Sequence, residues 1–340
     1  MTEKLLTRDA FREAVFARDD HACVFCKASD VPLDAHHILE RRLWSDGGYY
    51  LSNGATVCEE HHRLCESTDI TVEQVREAAG ILKFTIPDHM YDDQIYDKWG
   101  NAFLDNGQRL RGDLYWDESV QKVLGSHLGE FTNRVKYPRT YHLPWSENIH
   151  DDDRMLKSLD HFVGREVVVT VKMDGENTTM YSDGIHARSV DGRGHSSRDW
   201  VKNFHSTIAH DIPKDWRICG ENMFAKHSIA YENLESYFYG FSIWNEYNEC
   251  LTVDDTNTWF TLLGITPVEV LYRGIFDEKI IRGLWDKSEW ENCEGYLVRN
   301  TTKFSYRNFR NNVAKFVREG HVQTVKHWMH GQAIVPNKLK

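Results

Sequence analysis

The chain of 340 residues has no apolar run approaching the roughly 20 residues of a membrane span. Its opening, Met-Thr-Glu-Lys-Leu-Leu-Thr-Arg-Asp, lacks the basic-then-apolar order of a secretory signal. No membrane partner is expected, and the expected location is cytoplasmic. Internal repeats and low-complexity tracts are also missing, which excludes solenoid architectures. An even cysteine set is missing too, since there are seven. Cys23, Cys26, Cys58 and Cys65 lie close together, while Cys219, Cys250 and Cys293 are scattered. In a reducing compartment this argues against a disulfide framework. The early group reads as metal-binding and the scattered three as core thiols.

What is present supports folded domains. Hydrophobic residues make up 41%, with 11 Trp, 15 Tyr and 16 Phe, enough for real cores. The length favours two domains. The net charge of −11 argues against a polyanionic partner at first sight, but its distribution is uneven. Residues 299–340 carry nine Lys/Arg and one acid, Glu319, a local +8 against −19 for the rest. A polyanion is therefore drawn to the C-terminal part. Phe304, Tyr306, Phe309, Phe316 and Trp328 are interleaved there, so that part reads as folded.

The first eighty-five residues read as a small metal-stapled module. Thr7 can cap a helix through about Arg18, with Phe11 and Val15 on one face. Cys23-Val-Phe-Cys26 is answered across a long loop by Cys58-Glu-Glu-His61. Two short-spaced pairs of this kind form a Cys3His arrangement for tetrahedral Zn²⁺. Thr71-Val-Glu-Gln74 is a capping-box pattern opening a helix to Gly80, and Pro87 marks a boundary. Residues 86–136 read as a connecting region or subdomain without a clear period. Within it, Val120, Leu124 and Leu128 suggest a short helix. Residues 137–340 form the expected second domain. Its lead-in, Tyr137-Pro-Arg139-Thr-Tyr-His142-Leu-Pro-Trp145, is either a turn or a binding segment.

Asp34-Ala-His36-His37-Ile38, Gly47-Gly48, Asn53 and His62 resemble the HNH endonuclease module. That resemblance implies a ββα-metal unit beside a structural zinc. It implies His37 as general base, Asn53 as its orienting partner, and His36 and His62 as ligands of a catalytic divalent metal. Two readings stay open: a working nuclease, and a zinc module kept as a nucleic-acid-binding platform.

The most informative stretch is Val167-Val-Val-Thr-Val-Lys172-Met-Asp174-Gly175-Glu176-Asn177. A β-branched run delivers one lysine, with an acid and a glycine close behind. The pattern Lys-x-Asp-Gly resembles the first motif of the covalent nucleotidyltransferases, and Asn177 resembles the RNA ligase 2 branch. Further segments are similar to the later motifs in order. Arg188 stands where a contact to ribose or a nucleic-acid 3′ end is implied. Trp216-Arg-Ile-Cys-Gly220-Glu221 implies Glu221 on the ribose. Tyr237-Phe-Tyr-Gly-Phe241-Ser242 implies Phe241 stacked on adenine, with Ser242 where the family often has Asp. Cys293-Glu294-Gly295 implies Glu294 as a metal-associated carboxylate. Val313-Ala-Lys315-Phe-Val317-Arg318 implies Lys315 on the α-phosphate, with Val317 in place of the usual second lysine.

The implied fold class is α+β: a zinc-stapled ββα module followed by a ligase-type nucleotidyltransferase domain of antiparallel sheets with flanking helices. The implied function is an ATP-dependent RNA ligase working through a lysyl-AMP. The implied cofactors are ATP, Mg²⁺ or Mn²⁺, and Zn²⁺, with Glu294 and Asp174 suited to the hard cation. The implied substrate is RNA with a 5′-phosphate and a 3′-OH, in a nicked duplex or a broken loop, with DNA or an RNA–DNA hybrid as alternatives. A lysine of ordinary pKa, about 10.4, is protonated and inert, so a neighbouring cation such as Mg²⁺ or Lys315 is expected to lower that of Lys172. Rival readings are an HNH endonuclease with a nucleotide-binding ligase-like domain, a GTP-dependent capping-type nucleotidyltransferase, a DNA ligase, and a zinc-bound adaptor.

Overall fold

The structure, a computed structural model, describes residues 3–91, 94–149, 153–190, 194–284, 293–319 and 334–340. Trp328 of the basic C-terminal part lies outside the described residues. The chain divides into two compact units, residues 1–135 and 136–340. No helix among the described residues is long and apolar enough to cross a membrane.

In the first unit, α1 (Arg8–Arg18) is capped by Thr7, whose hydroxyl accepts from the Ala10 amide at 3.3 Å. It buries Phe11 and Val15, the i, i+4 pair of its sequence. Strand β1 (Leu33–His37) pairs antiparallel with β2 (Gly54–Cys58), and α2 (Glu59–Ser67) follows at once, giving the order ββα. The capping box at Thr71 and Gln74 forms and opens α3 (Val72–Ala78). Ile38, Leu39, Leu43, Val57, Val72 and Val75 form the core, which Met90 also joins.

The rest of this unit holds the short strands β3 (Ala102–Phe103), β4 (Arg109–Leu110) and β5 (Phe131–Thr132), with helix α4 (Glu118–Leu124). The helix stops where Gly125 takes a φ of 27°, and the chain continues as a 3₁₀ turn to Glu130. Leu128, expected on the helix's apolar face, is therefore left exposed, while Val120 and Leu124 are buried. The buried Arg109 guanidinium joins Asp97 at 3.1 Å, Thr68 at 2.7 Å and Glu130 at 3.0 Å.

The second unit is built on two sheets. Its elements in order are β6 (Tyr141–His142), β7 (Glu166–Lys172), β8 (Glu176–Tyr181), β9 (Gly184–Ala187), α5 (Asp199–Ile208), β10 (Arg217–Asn222), β11 (Phe238–Trp244), β12 (Glu249–Cys250), α6 (Val253–Leu263), β13 (Thr266–Pro267), β14 (Val270–Ile275), α7 (Glu278–Gly283), β15 (Gly295–Asn300), β16 (Phe304–Ser305) and β17 (Val313–Val317). One sheet runs β16-β12-β11-β10-β8-β9, with β13 also on β11; the other runs β14-β7-β15-β17-β6. Most pairings are antiparallel. β11–β13 and β17–β6 are parallel, so the sheets are mixed where antiparallel ones were expected.

Strand periodicity sorts the side chains into layers. Met180, Ile218, Phe238 and Ile243 pack against Val201 and Ile208 of α5 and Phe260 and Leu263 of α6. The opposite face puts Cys219, Trp244 and Cys250 against Phe304, Val313 and Leu297, so the two sheets share a core. The far face of the second sheet carries Val167, Val169, Tyr296, Val298 and Phe316 against Ile281 of α7. Strand β7 is interior and covered on both faces, which is why its sequence is nearly continuous valine rather than alternating. Cys219, Cys250 and Cys293 are buried free thiols.

Candidate functional site

In the second unit, the inner faces of both sheets deliver polar residues to one place. On β7 the inward set is Val168, Thr170 and Lys172, and register places Lys172 opposite Gly295 of β15. The Glu294 amide donates to the Lys172 carbonyl at 3.0 Å, and the Glu294 carboxylate accepts from the Lys172 ammonium. Gly295 makes this possible. Its φ is 155°, and a Cβ there would lie 2.0 Å from the Phe316 carbonyl oxygen. On β17, Lys315 lies opposite Leu297 and so points to the same face as Lys172. On the facing sheet, Glu221 of β10 lies opposite Asn177 of β8. The Oδ1 of Asn177 is buried with no hydrogen-bond partner among the described residues.

Phe241 reaches this face by a bulge. Cys219 pairs with Ser242 and Gly220 with Gly240, so Phe241 is the extra residue on β11. Bulges re-aim a side chain in this way. The half-buried ring rests edge-on against Tyr137, with centroids 5.2 Å apart. Arg188 stands exposed just past β9, whose last residue Ala187 pairs with Thr178 beside Asn177.

Asp174 has a different setting from that expected of a metal-suited acid. Its Oδ2 accepts from the Ser228 amide at 2.9 Å, the Ser228 hydroxyl at 2.6 Å and the Ile229 amide at 2.8 Å. It ties the turn after Lys172 to the loop after β10. Gly175 lets this turn approach β10: a Cβ there would meet Met223 Sδ at 2.6 Å and the Asn222 oxygen at 2.7 Å.

Asp153, which sequence reasoning did not place there, joins the cluster together with His142 of the lead-in segment. Asp153 lies 3.4 Å from Lys315 Nζ and 3.2 Å from His142 Nε2. His142 is itself buried, with Nδ1 2.7 Å from the Ser146 hydroxyl. Sequence distance hides Asp153; only the parallel pairing of β6 with β17 brings His142 beside Lys315.

The electrostatics correct one expectation. Burial pulls the Lys172 pKa down, but the carboxylates of Glu294, Glu221 and Asp174 outweigh it and the pKa rises. Burial, then Lys172, push Lys315 down. Burial, with Glu294 and Asp174 adding and Lys172 opposing, pushes Glu221 up to about 8. Without added positive charge, this site holds Lys172 protonated.

The first unit gathers two clusters. Donor atoms of Cys23, Cys26, Cys58 and His61 lie within 4.8 Å of one another. Cys26 Sγ and Cys58 Sγ are 3.8 Å apart, the separation a tetrahedron with Zn–S bonds of about 2.3 Å requires. The cysteines are free, and Cys58 Sγ lies 3.1 Å from His61 Nδ1. The donor set fits a structural zinc.

The second cluster is His36, His62 and Glu66. Glu66 Oε1 is 3.3 Å from His62 Nε2 and 3.6 Å from His36 Nδ1. Glu66 was missed in the sequence, although its i, i+4 spacing from His62 on α2 was a usable signal. Lys98 was missed as well: its ammonium lies 3.0 Å from Glu66 Oε1 and donates to the His37 carbonyl at 2.7 Å. This second cluster borders a cleft of about 530 Å³ whose lining includes His36, His37, His62, Glu66, Arg12, Arg41 and Lys98. His37 stacks on Phe11 at 4.7 Å, and its Nε2 is buried without a partner among the described residues. Burial, then Lys98 and Arg41, bring the His37 pKa down to about 4, and burial with Lys98 holds His36 well below its usual value. Asn53 engages the backbone rather than the His37 ring: Oδ1 accepts from the Leu39 amide at 2.8 Å, and Nδ2 donates to the Leu39 and Gly48 carbonyls. Any hold it has on His37 passes through the chain at Ile38 and Leu39.

Comparison with known proteins bears on the second unit. Residues 165–317 match the RNA ligase family model. The matched segment is a little under half of the chain. Lys172, Asp174, Asn177, Arg188, Glu221, Phe241, Glu294 and Lys315 all fall inside it. Among solved structures the chain is similar to an archaeal ATP-dependent RNA ligase, at 16% identity and TM-score 0.38, covering 54% of this chain and 48% of that one. It is similar to Naegleria gruberi RNA ligase with PPi, at 16% identity and TM-score 0.38, covering 78% and 70%. A variant of the Naegleria gruberi ligase with ATP and Mn matches at 15% identity and TM-score 0.35, covering 54% and 60%. The chain thus spans about half the length of the archaeal protein. No curated protein matches the sequence.

Proposed function

We propose that the chain is an ATP-dependent RNA ligase that forms a lysyl-AMP on Lys172 and joins RNA 5′-phosphate and 3′-OH ends in RNA repair. One observation carries this reading. Lys172, Glu221 and Lys315, from three strands of two sheets, and Glu294, just before a fourth, converge inside the segment that matches the RNA ligase family.

Each residue has a role suited to its setting. Lys172 Nζ forms the P–N bond to the α-phosphorus of ATP as the P–O bond to pyrophosphate breaks. Before that, its ammonium must leave Glu294 and lose a proton. Lys315, on the same face, is placed to hold the α-phosphate. Phe241 offers its ring to adenine, and Glu221 and the unpartnered Asn177 Oδ1 accept from ribose hydroxyls. Arg188, exposed at the sheet edge, meets the RNA strand. A divalent ion, Mg²⁺ or Mn²⁺, would neutralise charge on the phosphates, with Glu294 as its protein ligand. The AMP then passes to the RNA 5′-phosphate, and the 3′-OH displaces it.

For the first unit we propose a second reading, a metal-dependent HNH-like endonuclease. His36, His62 and Glu66 would hold the ion, and His37 faces the same cleft. The rival reading is a nucleic-acid platform held by zinc.

The test is incubation of the full chain with Mg²⁺ and α-³²P-ATP or α-³²P-GTP in parallel. Covalent label from ATP alone is expected. Label from GTP alone would move the reading to a capping-type enzyme, and no label from either would sink it.

A further inference from the structure

The residues that close the chain here, 334–340, lie outside the segment that matches the family, yet they are built into the site's support. They run along the loop between β10 and β11, with bridges Ala225–Pro336 and Leu234–Leu339. The backbone contacts are continuous. Lys226 N donates to Val335 O at 2.8 Å, Asn337 N to Phe224 O at 2.9 Å, Lys338 N to Tyr231 O at 2.9 Å, and Leu234 N to Lys338 O at 2.9 Å.

The centre of this strap is Asn337, 3% exposed. Its Oδ1 accepts from the Tyr231 amide at 2.9 Å, and its Nδ2 donates to the Met223 carbonyl at 2.7 Å. The Tyr237 hydroxyl donates to its carbonyl at 2.8 Å. A buried amide placed this fully is costly to replace, because its partners would be left unpaired. Tyr231 carries the connection onward: its hydroxyl accepts from the Asp174 amide at 3.0 Å. The same loop supplies the three donors to Asp174 Oδ2 from Ser228 and Ile229. The loop has no sheet of its own. It packs on Tyr239 and Val268 and is held by the strap on one side and the turn Met173-Asp174-Gly175 on the other.

We propose that the strap Ile334–Lys340 is a positioning device for the nucleophile, acting from Asn337 through Tyr231 to Asp174 and so to the turn that follows Lys172. Asn337 and Tyr231 are positioning residues. The proposal rests on the reading of Lys172 as the adenylylated lysine. It predicts a larger defect in the bond-forming step than in nucleotide binding, since the loop's hydrogen bonds reach the turn beside Lys172, whereas Phe241 only packs against the loop.

The test uses the full chain with Asn337→Ala, Tyr231→Phe and the double variant, in single-turnover labelling with α-³²P-ATP. Each single variant should lower the labelling rate at saturating ATP about tenfold while the half-saturating ATP concentration moves less than about twofold. If one path carries both effects, the double variant should be no slower than the worse single one. Effects that multiply, or a shift confined to the half-saturating concentration, would overturn the proposal. Hydrogen exchange separates its failure from that of the ligase reading. The Ser228 and Ile229 amides should exchange faster in Asn337→Ala whether or not the protein takes label. Unchanged exchange there rejects the strap, and absence of label in the wild type rejects only the ligase reading.

Discussion

Each unit contains a lysine whose ammonium rests on a glutamate, and the two pairs are built for different ends. In the first unit, Lys98 meets Glu66 and also donates to the His37 carbonyl, and its side chain is 4% exposed. It sits in a turn fixed from behind: Asp97 Oδ1 accepts from the Trp99 and Asn101 amides, and the Trp99 indole donates to the Glu66 carbonyl. In the second unit, Lys172 meets Glu294 at the end of a strand and is 22% exposed. Its further neighbours are the carboxylates of Glu221 and Asp174, where Lys98 has one further carboxylate, Glu40 at 3.9 Å, with a carbonyl and two imidazoles. A buried lysine–glutamate pair therefore says little about chemistry by itself. Lys98 is a fixed counter-charge held between Glu66 and the His37 carbonyl. Lys172 stands in an excess of negative charge that arriving cations can compensate, which leaves the amine available.

The sharpest way to break this comparison is to remove each lysine. Lys172→Ala should lower covalent labelling by more than about a thousandfold, since no other group can form the bond. Lys98→Ala should leave the labelling rate within about twofold, because nothing places it on the nucleotide. Label on the Lys172→Ala protein, located by peptide mapping, would show that the roles were assigned to the wrong lysine.

The next effect is on folding of one unit only. Cys58→Ser should remove zinc, measured by mass spectrometry of the intact chain under native conditions. Structural zinc sites contribute on the order of 10 kcal/mol to small modules, so the first unit should lose its protection from proteolysis. Labelling by the second unit should persist. Loss of label along with the zinc would mean that the two activities share a folding unit.

A smaller effect sharpens the role of Lys98. If its ammonium is the resident counter-charge of Glu66, Lys98→Met should raise Mn²⁺ affinity of the His36–His62–Glu66 cluster by roughly tenfold, the scale of one removed neighbouring charge. Calorimetric titration of the zinc-loaded chain measures this. Equal or weaker Mn²⁺ binding would show Lys98 to be a support of the ligand cluster rather than a competitor. His37→Ala should meanwhile stop any metal-dependent cleavage without altering zinc content.

How much of this was legible beforehand follows from the range over which each feature is determined. The valine run ending in Lys172, the Glu294-Gly295 pair and the aromatic strand at Phe241 are local patterns, whereas only register through β15 puts Lys172 and Lys315 on one face. The cysteine spacing and the capping box were equally local. Glu66 was within reach, one helical turn from His62, but a carboxylate among many acids does not stand out. Lys98 and Asp153 were not legible, because turns and strand pairings far away in the chain place them. Nor was the rise in the Lys172 pKa: a neighbouring cation was expected to lower it, but the carboxylates of Glu294, Glu221 and Asp174 outweigh burial. Asn337 gave no signal at all, since its partners at 223, 231 and 237 are reached only once the strap is laid down.

The charge excess around Lys172 also has a stability signature, opposite in sign to that of an ordinary ion-paired carboxylate. Glu221 is pushed up to about 8 chiefly by burial, so the folded protein binds a proton there that the unfolded chain has released above the usual carboxylate range. Between pH 4.5 and 8 the native state thus holds more protons than the unfolded state, and stability from this group falls as pH rises through that window. Above pH 8 the full cost of a buried carboxylate is present. Glu221→Gln keeps the shape and removes the charge. Its melting temperature should match the wild type near pH 5 and exceed it by about 5 °C near pH 9, allowing about 2 kcal/mol after discounting for the neighbouring Lys172. A gap that is constant from pH 5 to 9 would mean that Lys172 compensates Glu221 fully. The site would then be neutral rather than acidic, and the contrast with Lys98 would lose its electrostatic basis.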